Sequence, residues 1–246
     1  MQLILTMAGQ YTRFREFSYE IPKYLLPLSN RTVIHYVLKN FLETGEFDDL
    51  LLVANKRDMR YRPQLVSTLR EFGYEPSALI FIEDTAGQSL TAAAGLRHTD
   101  NDTSVVVHNI DTILWGRDFS SIKKQLESTN CVLDVFTANN DAYSYVLSSG
   151  TDPQQITAII EKETVSNIAS SGCYCFRSGK ELLRYIDKAA AQKQYTMSAA
   201  ISEMINDGLN VRSAELCSEQ NTIVLGTPKE YISAISTFDL LSVPAP

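Results

Sequence analysis

Residues Leu5-Thr6-Met7-Ala8-Gly9-Gln10-Tyr11-Thr12-Arg13-Phe14 lead an apolar run into a turn of small residues closed by a cation. A turn of that make-up can aim backbone N–H groups at a phosphate, and Arg13 adds a fork of donors for the anion's oxygens. It is neither a Walker loop, which ends in Gly-Lys-Ser/Thr, nor the dinucleotide fingerprint, whose glycine spacing fails here. Taken alone it reads as a structural turn. Val105-Val106-Val107-His108-Asn109-Ile110-Asp111 ends a second apolar run in a carboxylate. Asp111 is thereby expected at the carboxyl edge of a sheet, where open α/β folds bind ligands, and its position fits a metal ligand and a cap of the next segment equally. His108, one imidazole at a strand end, reads as a structural group.

The elements that would position these groups follow from periodicity. Leu3–Met7, Leu50–Ala54, Ala78–Ile82 and Ser104–His108 are short, continuously apolar runs that suit strands covered on both faces. Between them Thr32–Glu43, Met59–Glu71 and Gln88–Leu96 carry helical spacing, and this alternation predicts a parallel, doubly wound sheet. Beyond Trp115 extended stretches at Val132–Phe136, Tyr143–Ser148, Ile156–Glu161 and Gly172–Arg177 precede helical Gly179–Gln194 and Met197–Asp207. They are expected to extend the same sheet and wall off one side of a cleft. There is no repeat and no linker, only a short tail at Val243–Pro246.

Composition narrows the function. The 246 residues, 44% hydrophobic, suffice for a sizeable core, and a formal charge of -7 disfavours a nucleic-acid binder, which gathers Lys and Arg into stripes. A bound phosphate then needs a local pocket. Four cysteines occur without a basic leader, so reduced thiols in a cytoplasmic chain are expected. Cys173 and Cys175 share one face of a strand and read as core residues. No apolar run approaches the roughly 20 residues that cross a bilayer.

Glu20-Ile21-Pro22-Lys23-Tyr24-Leu25-Leu26-Pro27 then adds a second motif in order. Ala8–Arg13 followed by Pro22–Pro27 resembles the N-terminal signature of nucleotide-sugar pyrophosphorylases, Ala-Gly-x-Gly-Thr/Ser-Arg and then Pro-Lys-x-Leu-x-Pro. Met7-Ala8-Gly9 with Phe14 is similar to that family's bacterial capsule-type branch. The likeness continues through Thr85-Ala86-Gly87-Gln88, Asn109-Ile110-Asp111, Glu161-Lys162, Gly172-Cys173-Tyr174-Cys175-Phe176 and Gly226-Thr227-Pro228. It implies one Rossmann-like, doubly wound mixed sheet of the GT-A-like class over residues 1–246, with a nucleotide-binding half at 1–115 and an acceptor-binding half at 116–246.

The resemblance also implies roles. Arg13 and Lys23 bind the triphosphate; Ala8, Gly9, Tyr11, Thr12, Thr85, Gly87, Gln88 and Asn109 surround the nucleotide, with Gly87 admitting close backbone approach. Asp111 holds Mg²⁺. Glu161 reads hydroxyls of the acceptor, Lys162 meets its phosphate, and Gly172 belongs to the strand that follows. The implied partners are a nucleoside triphosphate and a phosphorylated small-molecule acceptor, a sugar 1-phosphate first, with no nucleic acid, no membrane, and self-association left open. The implied pathway is surface-polysaccharide precursor synthesis, without the acyltransferase β-helix fused to some relatives.

Two positions depart from the pattern. Tyr11 replaces the second loop glycine, either to stack on the base or to narrow the site. Val224 replaces an Asp that serves many relatives as a second magnesium ligand, which leaves Asp111 with water and triphosphate oxygens, or with another carboxylate such as Asp207. Three further readings stay open. A phospho-alcohol cytidylyltransferase, for instance one using phosphocholine, would want an aromatic cage, for which Tyr143, Tyr145 and Tyr174 are available. A GT-A glycosyltransferase would use Asp111 on a finished nucleotide sugar, and a degenerate nucleotide-binding module would follow from Tyr11 and Val224.

Overall fold

The apolar runs become strands because each is buried on both faces. In the computed structural model, which describes residues 1–99 and 102–242 with side chains through residue 236, Leu3, Leu5 and Met7 point into one core layer while Ile4 points into the other. The tail at Val243–Pro246 lies outside the described residues. Residues Leu50 and Leu52 against Leu51 and Val53 repeat the alternation one strand away. Each such fully buried side chain contributes about 1.5–3 kcal/mol.

The first half consists of β1 (Gln2–Met7), α1 (Thr12–Glu16), β2 (Pro27–Leu28), β3 (Arg31–Thr32), α2 (Val33–Leu42), β4 (Asp49–Asn55), α3 (Arg62–Glu71), β5 (Leu79–Ile82), α4 (Gln88–Leu96), β6 (Val105–Asn109) and β7 (Thr112–Leu114). The second half continues with α5 (Phe119–Gln125), β8 (Cys131–Thr137), β9 (Ser144–Ser148), β10 (Ile156–Glu161), β11 (Ile168–Phe176), α6 (Gly179–Ala191), α7 (Met197–Asn206), β12 (Val211–Ser213), β13 (Thr222–Val224) and α8 (Pro228–Ser242). The main sheet runs β10-β9-β11-β6-β1-β4-β5, with β8 pairing β11 and β12. Strands β6, β1, β4 and β5 are parallel, as the alternation predicts. Strand β11 is antiparallel to β6, so the sheet is mixed and its later strands extend it directly.

Several boundaries differ from the periodicity, two of them notably, and one ribbon is new. Met59–Glu71 is a 3-10 turn at Lys56–Tyr61 followed by α3, with a proline opening the helix. Strand β11 begins at Ile168, ahead of Gly172, because its first residues pair with β8. Its register slips between Ser170 and Tyr174, where Gly172 takes φ 84°. A small ribbon of β7 and β13, absent from the periodicity, crosses the end of the sheet. Arg117 anchors it: the guanidinium grips buried Asp134 through Nε at 2.9 Å and donates to the carbonyl of Asn221 at 2.7 Å. Removing one partner of such a pair leaves an uncompensated buried charge.

Candidate active site

The carboxyl ends of β1 and β6, the ribbon, and strands β9 to β11 enclose a cleft of about 600 Å³. Lys23 and Asp111 meet in it, ammonium to Oδ2, each side chain about one-fifth exposed. Lys23 comes from a 3-10 turn after Pro22, Asp111 from the link between β6 and β7, and the backbone of Leu225 donates to the Asp111 carbonyl at 2.7 Å. Burial alone would raise the Asp111 pKa, yet the Lys23 charge and hydrogen bond outweigh it and hold the carboxyl below its usual range. An ionised carboxylate and a cation in contact neutralise each other, and both are groups that a metal-bound triphosphate can claim. Arg13 also lines the cleft, exposed, with no ion pair among the described residues.

Of the remaining positions singled out from sequence, Ala8, Gly9, Tyr11, Thr85, Gly87, Gln88, Asn109, Glu161 and Gly172 line the cleft as well. Thr12 and Lys162 do not. Thr12 opens α1, and exposed Lys162 takes a left-handed φ of 54° with its N–H donating to the Tyr143 carbonyl. Gln88 Nε2 donates to Thr6 Oγ1 at 3.2 Å, which orients the amide in the cleft wall. Asn109 Oδ1 is buried without a hydrogen-bond partner among the described residues.

The glycines answer to protein neighbours. A Cβ on Gly87 would lie 2.3 Å from the carbonyl oxygen of Tyr195, to which the Ser89 N–H donates at 3.1 Å. The close approach expected of a nucleotide is thus made by the chain itself. A Cβ on Gly172 would sit 2.2 Å from Asn109 Nδ2, so the bulge in β11 makes room for that side chain.

On the opposite wall the Glu161 carboxylate accepts from Ser144 Oγ and Ser198 Oγ through Oε2, both at 2.6 Å. Ser198 belongs to the first turn of α7, whose N-cap is Thr196. Tyr143 and Tyr174 line the cleft, whereas Tyr145 is fully buried and donates to the Asn140 carbonyl at 2.6 Å, a packing role. Burial pushes the Tyr174 hydroxyl up to about 12.

One expectation needs correction. Asp207 cannot be the second metal carboxylate, because it ends α7 away from the cleft, bound by Lys188 Nζ at 2.7 Å and the Tyr185 hydroxyl at 3.1 Å. Tyr11 lines the cleft, and its hydroxyl is tied to Asp58 at 2.6 Å. A carboxylate that the motifs did not single out lies nearer. Asp111 Oδ2 and Glu230 Oε2 are 3.4 and 3.5 Å from the point where a Cβ on Gly226 would sit, and both residues line the cleft. Glu230 is held by a capping box at the start of α8, accepting from Thr227 Oγ1 at 2.9 Å. His108 is buried, its Nε2 against the Thr112 carbonyl at 2.8 Å, and Cys131, Cys173 and Cys175 are buried free thiols, as expected.

The family model described as "Nucleotidyl transferase" matches residues 2–237. The chain belongs to the nucleotidyl transferase family. Among nucleotidyl transferase relatives, it is 22% identical over 237 residues to the mannose-1-phosphate guanyltransferase of Neurospora crassa, covering 95% of this chain and 63% of that one. It is 20% identical to the bifunctional protein GlmU of Thermodesulfovibrio yellowstonii, over 96% of this chain and 51% of that protein. The chain therefore spans between half and two-thirds of these relatives. The solved nucleoside-diphosphate-sugar pyrophosphorylase of Vibrio cholerae RC9 superposes with a TM-score of 0.83 at 22% identity, covering 95% of this chain and 99% of that one. That likeness establishes the fold. No helix among the described residues is long and apolar enough to cross a membrane.

Within this nucleotidyl transferase, sequence reasoning missed Asp58, Ser144, Tyr195, Ser198 and Glu230. Glu230 had a local signal, the Thr227-x-x-Glu230 spacing of a capping box. Ser198 and Tyr195 had only the Thr196 cap beside them. Asp58, inside Lys56-Arg57-Asp58-Met59-Arg60, looks like one charge of a solvated cluster.

Proposed function

We propose that this nucleotidyl transferase joins a nucleoside triphosphate to a sugar 1-phosphate and releases pyrophosphate. The observation that carries the reading is the meeting of Lys23 and Asp111, with Arg13 on the same cleft, opposite Glu161 and its two serines. The family match and the names of the relatives agree with it.

An oxygen of the acceptor phosphate attacks the α-phosphorus, the bond from that phosphorus to the β-bridging oxygen breaks, and pyrophosphate leaves with the electron pair. The nucleophile is already an anion, so the protein supplies alignment and charge rather than a base. Arg13 and Lys23 take the triphosphate oxygens. Glu161, held by Ser144 and Ser198, accepts from hydroxyls at the far end of the acceptor. Lys162 does not line the cleft and is left out of this reading.

The donor set suits a hard divalent cation, Mg²⁺ in our reading. Asp111 is ionised, and Glu230 lies across Gly226 in place of the carboxylate that Val224 lacks. No cluster of three or more His, Cys, Asp or Glu forms a cage among the described residues, which fits an ion that keeps waters and phosphate oxygens in its shell. When bound, the ion neutralises charge on the triphosphate. We assign the product to surface-polysaccharide precursor synthesis on the Met7-Ala8-Gly9 and Phe14 resemblance.

The deciding experiment measures pyrophosphate release with Mg²⁺, crossing CTP, GTP, UTP, ATP and dTTP against sugar 1-phosphates and phosphocholine, with Asp111→Ala as control. Turnover of one sugar 1-phosphate pair, abolished in the control, is expected. Turnover with phosphocholine alone would instead favour the phospho-alcohol reading, to which Tyr143 and Tyr174 on the cleft wall give some support. Nucleotide binding with no turnover of any acceptor would overturn the proposal in favour of a binding module.

A further inference from the structure

Tyr11 stands where the family pattern has glycine, and its backbone keeps the left-handed conformation a glycine adopts freely, φ 39° and ψ 40°. For a tyrosine that conformation is strained and persists only where the surroundings hold it. What holds it is the Tyr11 hydroxyl, which donates to Asp58 Oδ1 at 2.6 Å. The other oxygen of the same carboxylate, Oδ2, accepts from the Tyr24 hydroxyl at 2.9 Å. Asp58 is 1% exposed and rides on the 3-10 turn that follows β4.

The two tyrosines sit in the two motifs that carry the phosphate-binding cations. Tyr11 N-caps the helix that contains Arg13, and the N–H groups of Phe14 and Arg15 donate to its carbonyl at 3.0 and 3.2 Å. Tyr24 adjoins Lys23 in the same 3-10 turn. One buried carboxylate from a third segment therefore ties both cation-bearing segments together. Arg15 adds a lid, its guanidinium 4.7 Å from the centre of the Tyr11 ring. Burial, with Asp58 beside them, raises the pKa of both hydroxyls, so both remain donors.

We propose that Asp58 is a positioning residue for the nucleotide triphosphate, setting Arg13 and Lys23 relative to each other through the hydroxyls of Tyr11 and Tyr24. The inference rests on the reading of those two cations as phosphate ligands. Asp58 touches no substrate; it replaces, with a side-chain clamp, the conformational freedom of the missing glycine.

The test is isothermal titration of the full chain with the five nucleoside triphosphates and Mg²⁺, without acceptor, for wild type, Tyr11→Phe, Tyr24→Phe, the double variant and Asp58→Asn. Each Phe variant loses a single hydroxyl and is expected to bind the preferred nucleotide about five- to ten-fold more weakly, the scale of one ordinary net hydrogen bond. The double variant should lose less than the product of the two single losses, because both hydroxyls act through one carboxylate. In turnover the loss should appear in the nucleotide KM, with the acceptor KM within two-fold of wild type. Phe variants that melt at lower temperature yet bind nucleotide within two-fold of wild type would overturn the proposal and leave Asp58 a purely structural residue. Should Asp58→Asn fail to fold, the Phe variants decide alone. A wild type that binds nucleotide but turns over no acceptor sinks the transferase reading and leaves this series interpretable, whereas one that binds no nucleotide sinks both.

Discussion

The two walls of the cleft are built differently. The wall we assign to the nucleotide consists of short contiguous motifs at the ends of parallel strands; Asp58 accepts from the tyrosines that neighbour its cations, and Lys23 pairs with Asp111. The wall we assign to the acceptor is assembled from β9, β10, β11 and α7, and its Glu161 is held by neutral hydroxyls from β9 and α7. Charge is organised where the triphosphate is expected, and hydroxyl chemistry where acceptor specificity is expected. The first wall should therefore control rate and the second acceptor KM.

Substitutions can break or sharpen that contrast. The largest effect is expected from Lys23→Ala, which removes a cation from the reacting phosphates and should lower kcat about 10²–10³-fold in steady-state kinetics; full turnover with unchanged nucleotide affinity would undo its assignment. Next, Glu230→Gln keeps the capping box but not the charge, and Mn²⁺ titration in the presence of nucleotide should show metal binding about ten-fold weaker, worth ~1.4 kcal/mol. Unchanged metal affinity would return Glu230 to a capping role.

Two smaller effects probe the seam between the walls. Gly87→Ala drives a Cβ into the Tyr195 backbone, just ahead of the α7 turn that carries Ser198. A substitution in a nucleotide motif should then raise acceptor KM, by about five-fold if one ~1 kcal/mol hydrogen bond to Glu161 is lost. A change confined to nucleotide KM would show that the walls are independent. Ser198→Ala removes one of the two hydroxyls on Glu161 directly and should raise acceptor KM by about two- to five-fold with nucleotide KM unchanged. If nucleotide KM moved equally, Glu161 would not belong to the acceptor alone.

The nucleotide wall was the legible one because its parts are local. Arg13 and Lys23 lie in motifs whose spacing is visible along the chain, and Asp111 follows an apolar strand whose carboxyl end could be placed without a structure. The core was legible for the same kind of reason: Leu50–Ala54 is apolar without a break and Leu3–Met7 is interrupted only by Thr6, a pattern that suits a strand covered on both faces. The β7–β13 ribbon escaped notice because it joins segments about a hundred residues apart, Thr112 pairing with Val224, and three-residue strands carry no period.

The amino-acid sequence by itself determined the mixed α/β architecture, the family, and the residues we propose to handle phosphate, since local periodicity and motif spacing are one-dimensional quantities. Tertiary structure alone decided that Glu230 flanks Gly226 together with Asp111, what Gly87 and Gly172 make room for, which hydroxyls hold Glu161, and what a tyrosine in the place of a glycine bonds to. Those are close contacts between segments distant in sequence, and nothing in the order of residues states which side chains a folded sheet will bring within hydrogen-bonding reach.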